Sequence, residues 1–377
     1  MAQTAKSLPQ QHAGFGLIEI MVGLAISMLA TIVMMQVFAL SEARKRTTTN
    51  GGDAQSNGAI TFFQLQRDIS EAGYGFTMYS LLNCNLTWKV NSGSSIAAPI
   101  PIAPVTIIPY GSGSSLVPDG DPNTDALLVL TGNTNGEPQG NKIIEQAGTA
   151  YKMQMPSAFA KDDKVIAALD ACSANLLIDQ IADAPTTTTV TVVTGATGTT
   201  LYNLGGATTA TAPRFLAYAV RNGNLTVCDY LANDCSLTAN ISDPSVWVPI
   251  ANNIVSLRAQ YGRDTASTAR TQAQIDAITP RPTYIVDTYD QTSPNTACTW
   301  VRAPAVRIAL VARNSQFNKD IVTTSTLSWA GSATTPIDVS KNPDGSANAN
   351  WGNYRYKVFQ AVIPLRNIVW MGAQAGC

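Results

Sequence analysis

The sequence predicts an α+β protein in which a long N-terminal transmembrane helix packs on a mainly antiparallel β-sheet domain with long loop insertions. Three observations support this prediction. An apolar run long enough to cross a bilayer lies near the N-terminus, and apolar residues then recur at helical spacing up to Gly73. Short strand-like runs separated by Gly, Pro, Asn and Ser fill the rest of the 377 residues.

The apolar run, residues 15–40, contains 26 residues and a single charge, Glu19. As a helix it would be about 39 Å long, whereas the hydrocarbon core of a bilayer is about 30 Å thick. A secretory signal peptide has an apolar run of only about 7–15 residues. The run therefore predicts a retained anchor and a single-pass protein.

Glu19 is unusual because a carboxylate in an apolar span costs a few kcal/mol on insertion scales and often marks a functional position. The alternative is that Glu19, near the start of the span, lies at the membrane interface.

Basic residues flank the span unequally, with Lys6 before it and Arg44, Lys45 and Arg46 after it. By the positive-inside rule this distribution places the large domain in the cytoplasm, but the cysteines described below indicate the opposite orientation.

Beyond the span, residues 41–46 can continue the helix, but residues 47–52 (TTTNGG) are poor helix formers. Asp53 can cap a new start and Gly73 can end the helix. Between them, apolar residues recur at helical spacing at Phe62, Leu65, Ile69 and Ala72. We predict one long helix, melted or kinked at 47–52, whose second half packs on the globular domain. The alternative is two helices joined by a flexible tether.

Seven strands are predicted after Gly73, at 125–131, 190–194, 214–220, 225–229, 253–261, 305–313 and 356–363. Asn222-Gly223 between two of them predicts a tight hairpin. Three stretches are interpreted as surface decoration because they are rich in small and polar residues, namely 92–123, the Thr-rich 186–211 and 331–353. Such loops either carry partner specificity or are simply solvated.

The composition excludes several classes of function. The only histidine, His12, precedes the apolar run, so Ser-His-Asp and Cys-His catalysis have no base and a zinc site has no imidazole ligand. With 24 basic and 25 acidic residues the net charge is −1, which argues against nucleic-acid binding through a basic face. We therefore predict no catalytic residue, no cofactor and no nucleic-acid contact.

Six cysteines lie beyond the span, at Cys84, Cys172, Cys228, Cys235, Cys298 and Cys377. Their even number, wide spacing and lack of a C-x-x-C pair favour disulfides over a metal cluster or reduced thiols in a cytoplasmic domain. Cys228 and Cys235 lie at the foot of the predicted hairpin and are the expected pair. The sequence leaves the other pairings open.

One acidic loop has oxygen side chains at alternate positions, Asp119, Asp121, Asn123 and Asp125, as hard cations prefer. An EF-hand loop would have Gly at the sixth position and Glu at the twelfth, but this chain has Thr124 and Leu130. The loop is a weak calcium candidate, and an ordinary polar turn is the favoured interpretation.

The N-terminal residues Gly14-Phe15-Gly16-Leu17-Ile18-Glu19 resemble the prepilin processing motif of type IV pilins and type II secretion pseudopilins. The resemblance implies cleavage after Gly14, methylation of the new N-terminal Phe15, and retention of Glu19 for assembly. The family also tends to carry basic residues just beyond the span, as this chain does. The leader departs from the family pattern because Lys6 is its only basic residue.

Further segments resemble PilW-like minor pilins and occur in the same order as in that subfamily. They are Ser56-Asn57-Gly58, Phe62 to Ile69, Ala72-Gly73-Tyr74, Thr124 to Leu127, Gln260 to Thr265, Val306 to Arg313, and Tyr354-Arg355 to Pro364-Leu365-Arg366-Asn367. The implied organisation is a leader at 1–14, an N-terminal helix at 15–73 with its transmembrane part at 15–40, and a β-rich periplasmic or extracellular domain at 74–377.

This resemblance implies a structural subunit of the initiation or tip complex that primes type IV pilus assembly. The implied partners are other minor pilins, the major pilin, the prepilin peptidase, the inner-membrane assembly platform and, before assembly, membrane lipid. The implied location is the inner membrane with the C-terminal domain in the periplasm, and then the pilus at the cell surface. The alternatives are a minor pseudopilin of a type II secretion system and a tip adhesin or other binding module.

Overall fold

The computed structural model describes residues 16–75, 78–89, 95–133, 137, 139–169, 172, 175–208, 210–266, 271–277 and 284–377. The chain divides into two compact units, Met1–Gly52 and Asp53–Cys377. The described helices are α1 (Leu17–Glu71), α2 (Gln272–Asp276), α3 (Ala297–Val301) and α4 (Arg366–Met371). Short 3-10 helices occupy Tyr79–Leu81, Pro156–Ala158, Thr238–Asn240 and Trp351–Asn353.

The described strands form three sheets that are almost wholly antiparallel, which confirms the predicted α+β class. In chain order they are β1 (Asn85–Thr87), β2 (Ile100–Pro101), β3 (Val105–Ile108), β4 (Ala126–Thr131), β5 (Asn141–Ala147), β6 (Ala150–Met153), β7 (Lys164–Ala168), β8 (Leu176–Gln180), β9 (Thr189–Thr191), β10 (Thr200–Gly205), β11 (Arg214–Arg221), β12 (Asn224–Asp229), β13 (Val248–Asn252), β14 (Ile254–Arg263), β15 (Thr288–Asp290), β16 (Ala305–Arg313) and β17 (Tyr356–Pro364).

The sheets have eight, five and four strands, in the orders β2-β1-β8-β7-β10-β5-β6-β9, β13-β12-β11-β4-β3 and β15-β14-β16-β17. Six of the seven predicted strands are present with nearly the predicted bounds, whereas the strand predicted at 190–194 is found only over Thr189–Thr191 (β9). The predicted hairpin is present as well, since β11 and β12 pair up to Arg221↔Asn224. Asn222 and Gly223 form its turn with φ of 51° and 70°, the left-handed values that a two-residue hairpin requires.

In the first unit, α1 carries the apolar window Leu17–Glu42, which has a mean hydropathy of 2.3 and no buried residue. By length and composition it can cross a membrane. Its hydroxyls bond to carbonyls of the helix itself, Ser27 Oγ to Leu24 O at 2.9 Å and Thr31 Oγ1 to Ser27 O at 2.7 Å. These polar groups therefore need no water, as a bilayer demands.

The predicted interruption at 47–52 was wrong, because α1 is helical throughout Leu17–Glu71. A helix extended from turns already formed on both sides does not incur the cost of nucleation. The weak propensity of two glycines, about 1 kcal/mol each, is then insufficient to break it.

In the second unit, the end of α1 packs on the five- and four-stranded sheets. Its buried side chains are those expected from helical spacing, and they join one apolar cluster with β3, β4, β11, β12, β14, β16 and β17. A second cluster fills the space between the other face of the five-stranded sheet and the eight-stranded sheet. A third lies within the eight-stranded sheet and includes Tyr151 and Leu201.

All three of the supposed surface decorations contain core residues; in the Thr-rich 186–211 these are Val190, Leu201 and Leu204. Within 92–123, β3 is buried along its whole length and forms one side of the five-stranded sheet. Its four residues were missed because Pro and Gly on either side dominate the local composition. Ile337 lies within 331–353 and Trp329 lies just before it. Both are buried against Ala309 and Val311 on the back of the four-stranded sheet.

Candidate functional site

Gly14 and Phe15 lie outside the described residues, and Glu19 lies in the first turn of α1. The side chain of Glu19 accepts a hydrogen bond from the backbone N–H of Gly16 through Oε2, at 3.3 Å. This places a carboxylate at the positive end of the helix dipole, where negative charge is favourable. The surrounding apolar side chains are exposed, so this part of the chain presents a single acid on an otherwise apolar rod.

The second half of α1 is fixed to its sheet by a polar network that the sequence did not predict. Asp68 accepts a hydrogen bond from Tyr218 Oη at 2.6 Å and forms an ion pair with Arg214 at 3.1 Å. Burial, assisted by the charge of Asp68, raises the pKa of the Tyr218 hydroxyl, so it stays a donor. The one sequence signal for this network is an acid between the buried positions Leu65 and Ile69. Its partners on β11 are 146 or more residues away in the sequence, so they could not be identified from it.

A second buried acid, Asp125, joins β4 to β14. Its Oδ1 pairs with Arg258 Nη1 at 2.7 Å, and its Oδ2 accepts from Ala259 N at 3.0 Å and from Gln291 Nε2 at 2.7 Å. Burial raises the pKa of the Asp125 carboxyl to about 6, against the opposing effects of Arg258 and these hydrogen bonds. The segment singled out by resemblance at Asp125 therefore contacts β14 in the core, next to the segment that begins at Gln260.

The other members of the acidic loop are also held by protein groups. Asp121 accepts from Asn222 N and Gly223 N at 2.8 and 2.7 Å, so it braces the hairpin turn. Asp119 accepts from Gly111 N, and Asn123 donates to Asp338. Within the described ranges, no group of three or more His, Cys, Asp or Glu side chains is arranged to hold a metal ion. The geometry is that of a hydrogen-bonded turn.

All six cysteines form disulfides: Cys84–Cys172, Cys228–Cys235 and Cys298–Cys377. The pair at the hairpin foot joins the end of β12 to the following loop, as expected from its position. The other two close loops with sequence separations of 88 and 79 residues, and the sequence could not choose them. Three disulfides are typical of a domain that folds in an oxidising compartment.

A cleft of about 1030 Å³ lies between the end of α1, the β11–β12 face and the eight-stranded sheet. Its floor is largely apolar, with Leu216, Leu225 and Val227 among the lining residues. Several titratable groups on its walls are engaged: Asp68 with Arg214, Lys164 with Gln180, and Asp179 with the backbone amides of Thr194 and Gly195. The cleft offers a surface for contact, and its geometry suggests no reaction.

Comparison with protein families gives one match, in which residues 217–367 fit the model of the type IV pilus-assembly protein W, PilW. This match supports a PilW-like member of the type IV pilus family. The matched range runs from within β11 to the start of α4 and includes the whole four-stranded sheet, one of the two sheets on which α1 packs. No curated protein and no solved structure matches the chain significantly.

The family match and the apolar helix together indicate a membrane-anchored, pilus-associated PilW-like protein that interacts with other pilus components. The family is described as a type IV pilus-assembly protein. The two segments that were expected to form the last core strands of such a protein, β16 and β17, are indeed adjacent strands paired over nine residues.

Proposed function

We propose that this PilW-like chain is a minor pilin, a structural subunit of the initiation or tip complex that primes pilus assembly, and that it has no catalytic role. The observation that carries the proposal is the PilW match, which covers the four-stranded sheet, one of the two sheets on which the end of α1 packs. The exposed apolar helix of the first unit supports it, because a filament subunit needs a helix that suits lipid before assembly and other helices afterwards.

The proposal assigns residues 1–14 to a leader removed by the prepilin peptidase. Phe15 then becomes the N-terminus and carries a methylated ammonium group, while the 74–377 domain lies in the periplasm, where its disulfides form. The assembly platform and the major pilin are the partners that extract the subunit from lipid. Small residues on the span, Gly23, Ala25, Ser27 and Ala30, permit close helix packing.

In this proposal Glu19 pairs with an N-terminal ammonium group in its own chain or in a neighbour. An isolated charge is expensive among packed apolar helices, whereas a pair is tolerated. The pairing gives assembly a register, because a subunit enters only where its amine meets a carboxylate. The exposed position of Glu19 at the helix start is compatible with this role.

The first test is mass spectrometry of the protein from its native host. We expect N-methylated Phe15 as the first residue, and an intact Met1 in piliated cells would contradict the proposal.

The second test compares Glu19→Ala with Glu42→Ala, an acid on the same helix at the end of the apolar window. We expect both variants to insert into the membrane, but only Glu19→Ala to be missing from sheared pili. Equal incorporation of the two variants would refute charge pairing.

A deletion strain separates a pilus subunit from a type II secretion pseudopilin. We expect the number of surface pili to fall while secretion of type II substrates continues. The reverse result would assign the chain to secretion. Normal pilus number with loss of adherence would indicate a tip adhesin.

A further inference from the structure

Strand β17 is the outer strand of the four-stranded sheet, and it is unusually long for an unprotected edge. It has nine residues, whereas the other outer strands in the described part of the chain have two to five. Native proteins usually shorten, charge or cover an edge, because its free backbone groups can pair with another chain. The outer strand β13 contains Pro249, and β3 is entirely buried, but β17 has no proline before its last residue, Pro364.

The hydrogen bonds at the two ends of β17 determine which of its backbone groups face outward. Leu365 N donates to Pro304 O, and Asn314 N donates to Arg355 O, both at 2.8 Å. In an antiparallel pair the hydrogen-bonded positions alternate. With the register Ile363↔Val306, the inward residues are therefore Lys357, Phe359, Ala361 and Ile363.

The outward residues are Tyr356, Val358, Gln360 and Val362. Their backbone N–H and C=O groups have no hydrogen-bond partner in the part of the chain that the structure describes. Just before the strand the edge is covered, since Val322 N and Thr323 N donate to Gly352 O, and the Thr323 hydroxyl donates to Tyr354 O. Within β17 the described contact from this region goes to a side chain, since Ala330 N donates to Gln360 Oε1, and further along the strand Val362 is 51% exposed.

The charges around the edge are all of one sign. Arg355 and Lys357 are exposed at one end and Arg366 at the other, and residues 354–366 contain no acid. If two copies paired through β17, an antiparallel arrangement would bring Arg355 and Lys357 close to the other copy's Arg366. A parallel arrangement would bring each basic residue close to its own counterpart. Like charges opposite each other destabilise a strand pair, so self-association is disfavoured.

We propose that β17 accepts an extended segment of a different protein chain, with acidic residues at both ends of that segment, as an additional strand of the four-stranded sheet. The unpaired backbone groups would supply the attraction. The basic residues at the two ends would select the partner and repel a second copy. This proposal requires neither cleavage after Gly14 nor the role assigned to Glu19, so it can hold or fail independently of the proposed function.

The first measurement is amide hydrogen exchange of the full chain in detergent, resolved to single residues by mass spectrometry. In the free protein we expect the amides of Tyr356, Val358, Gln360 and Val362 to exchange faster than those of the inward residues. Equal protection of the two sets would mean that the edge is already covered and would overturn the proposal.

The second measurement uses a short synthetic peptide of alternating valine and threonine with aspartates at both ends. We expect it to slow exchange at the outward amides only, and to bind about tenfold more tightly than the same peptide with lysine ends, the effect expected of a few exposed ion pairs. A version N-methylated at alternate residues cannot form the ladder and should not bind. Equal binding of the N-methylated or the lysine-ended peptide would overturn the proposal.

A matched pair of variants checks the same edge from the protein side. Val362→Pro removes one outward donor, whereas Val362→Thr keeps both the donor and the branched shape. We expect only the proline variant to lose peptide binding, while both keep the wild-type urea midpoint. If the proline variant unfolds, the threonine variant and the N-methylated peptide still decide the question, because neither depends on proline.

Discussion

The side chain of Asn367 closes the end of α1: its Nδ2 donates to the backbone carbonyl of Ala72 at 2.8 Å and to that of Glu71 at 3.2 Å. The last carbonyls of a helix have no partner within the helix, so a side-chain donor there is stabilising. The contact joins residues 295 positions apart in the sequence. It therefore links the start of α4 directly to the end of the helix that carries the N-terminal apolar segment.

Replacement of Asn367 by Ala should lower the free energy of unfolding by about 1–2 kcal/mol, because two hydrogen bonds of roughly 1 kcal/mol each are lost. Urea unfolding of the full chain in detergent measures this change. Asn350→Ala, at an exposed position, is the matched control and should stay within about 0.5 kcal/mol of wild type. Equal effects of the two substitutions would contradict the capping role.

Gly58 permits the close approach of α1 to β17. A Cβ atom at this position would overlap the ring of Phe359 and lie 2.9 Å from the Cβ of Ala312. Gly58→Ala should therefore destabilise the protein by about 1–3 kcal/mol, although alanine is the better helix former. The check is a double-mutant cycle with Phe359→Leu, a smaller side chain that should recover part of the loss. A stabilising effect of Gly58→Ala would show that the two elements separate easily.

The buried carboxyl of Asp125 should make stability depend on pH. Its pKa is about 6 in the folded chain and about 4 when unfolded, so the folded state binds the extra proton between these values. By linkage, the contribution of this group to stability is present below pH 4 and is lost as the pH rises through 6. From pH 5 to 7.5 the wild type should lose about 1.4 kcal/mol more than Asp125→Asn in urea titrations. Parallel curves for the two proteins would show that Asp125 does not carry the effect.

The three disulfides should contribute unequally. In the chain-entropy description, the stabilisation grows with the logarithm of the closed loop. The separations are 88 residues for Cys84–Cys172 and 7 for Cys228–Cys235. Replacing the first pair by alanines should cost roughly 2 kcal/mol more than replacing the second. Urea midpoints of the two double variants test the order, and a larger loss for the short loop would show that local packing dominates.

Sequence reasoning succeeded where the signal is local and periodic. The buried face of α1 at Leu65 and Ile69 follows from helical spacing, and the alternating pattern of β16 predicts a strand. It failed for β3, whose three apolar residues and one threonine are too few to show a period, and for most of the eight-stranded sheet, which is built from short strands.

The partners of Asp68 and Asn367 could not be inferred, because only the folded topology brings them together. Nor could the sequence show which residues of β17 direct their backbone groups away from β16. The pattern of its side chains distinguishes the two faces of the sheet, but the open edge depends on which backbone groups β16 engages.

The register Thr131↔Arg214 places the end of β4 beside the start of β11. The intervening residues, which build most of the eight-stranded sheet, therefore leave and return at neighbouring points. During synthesis β4 can pair with β3 at once, but it can pair with β11 only after all of the intervening residues have been made. Such non-local pairing slows folding, so one side of β4 stays unpaired, and open to association with other chains, until β11 is available.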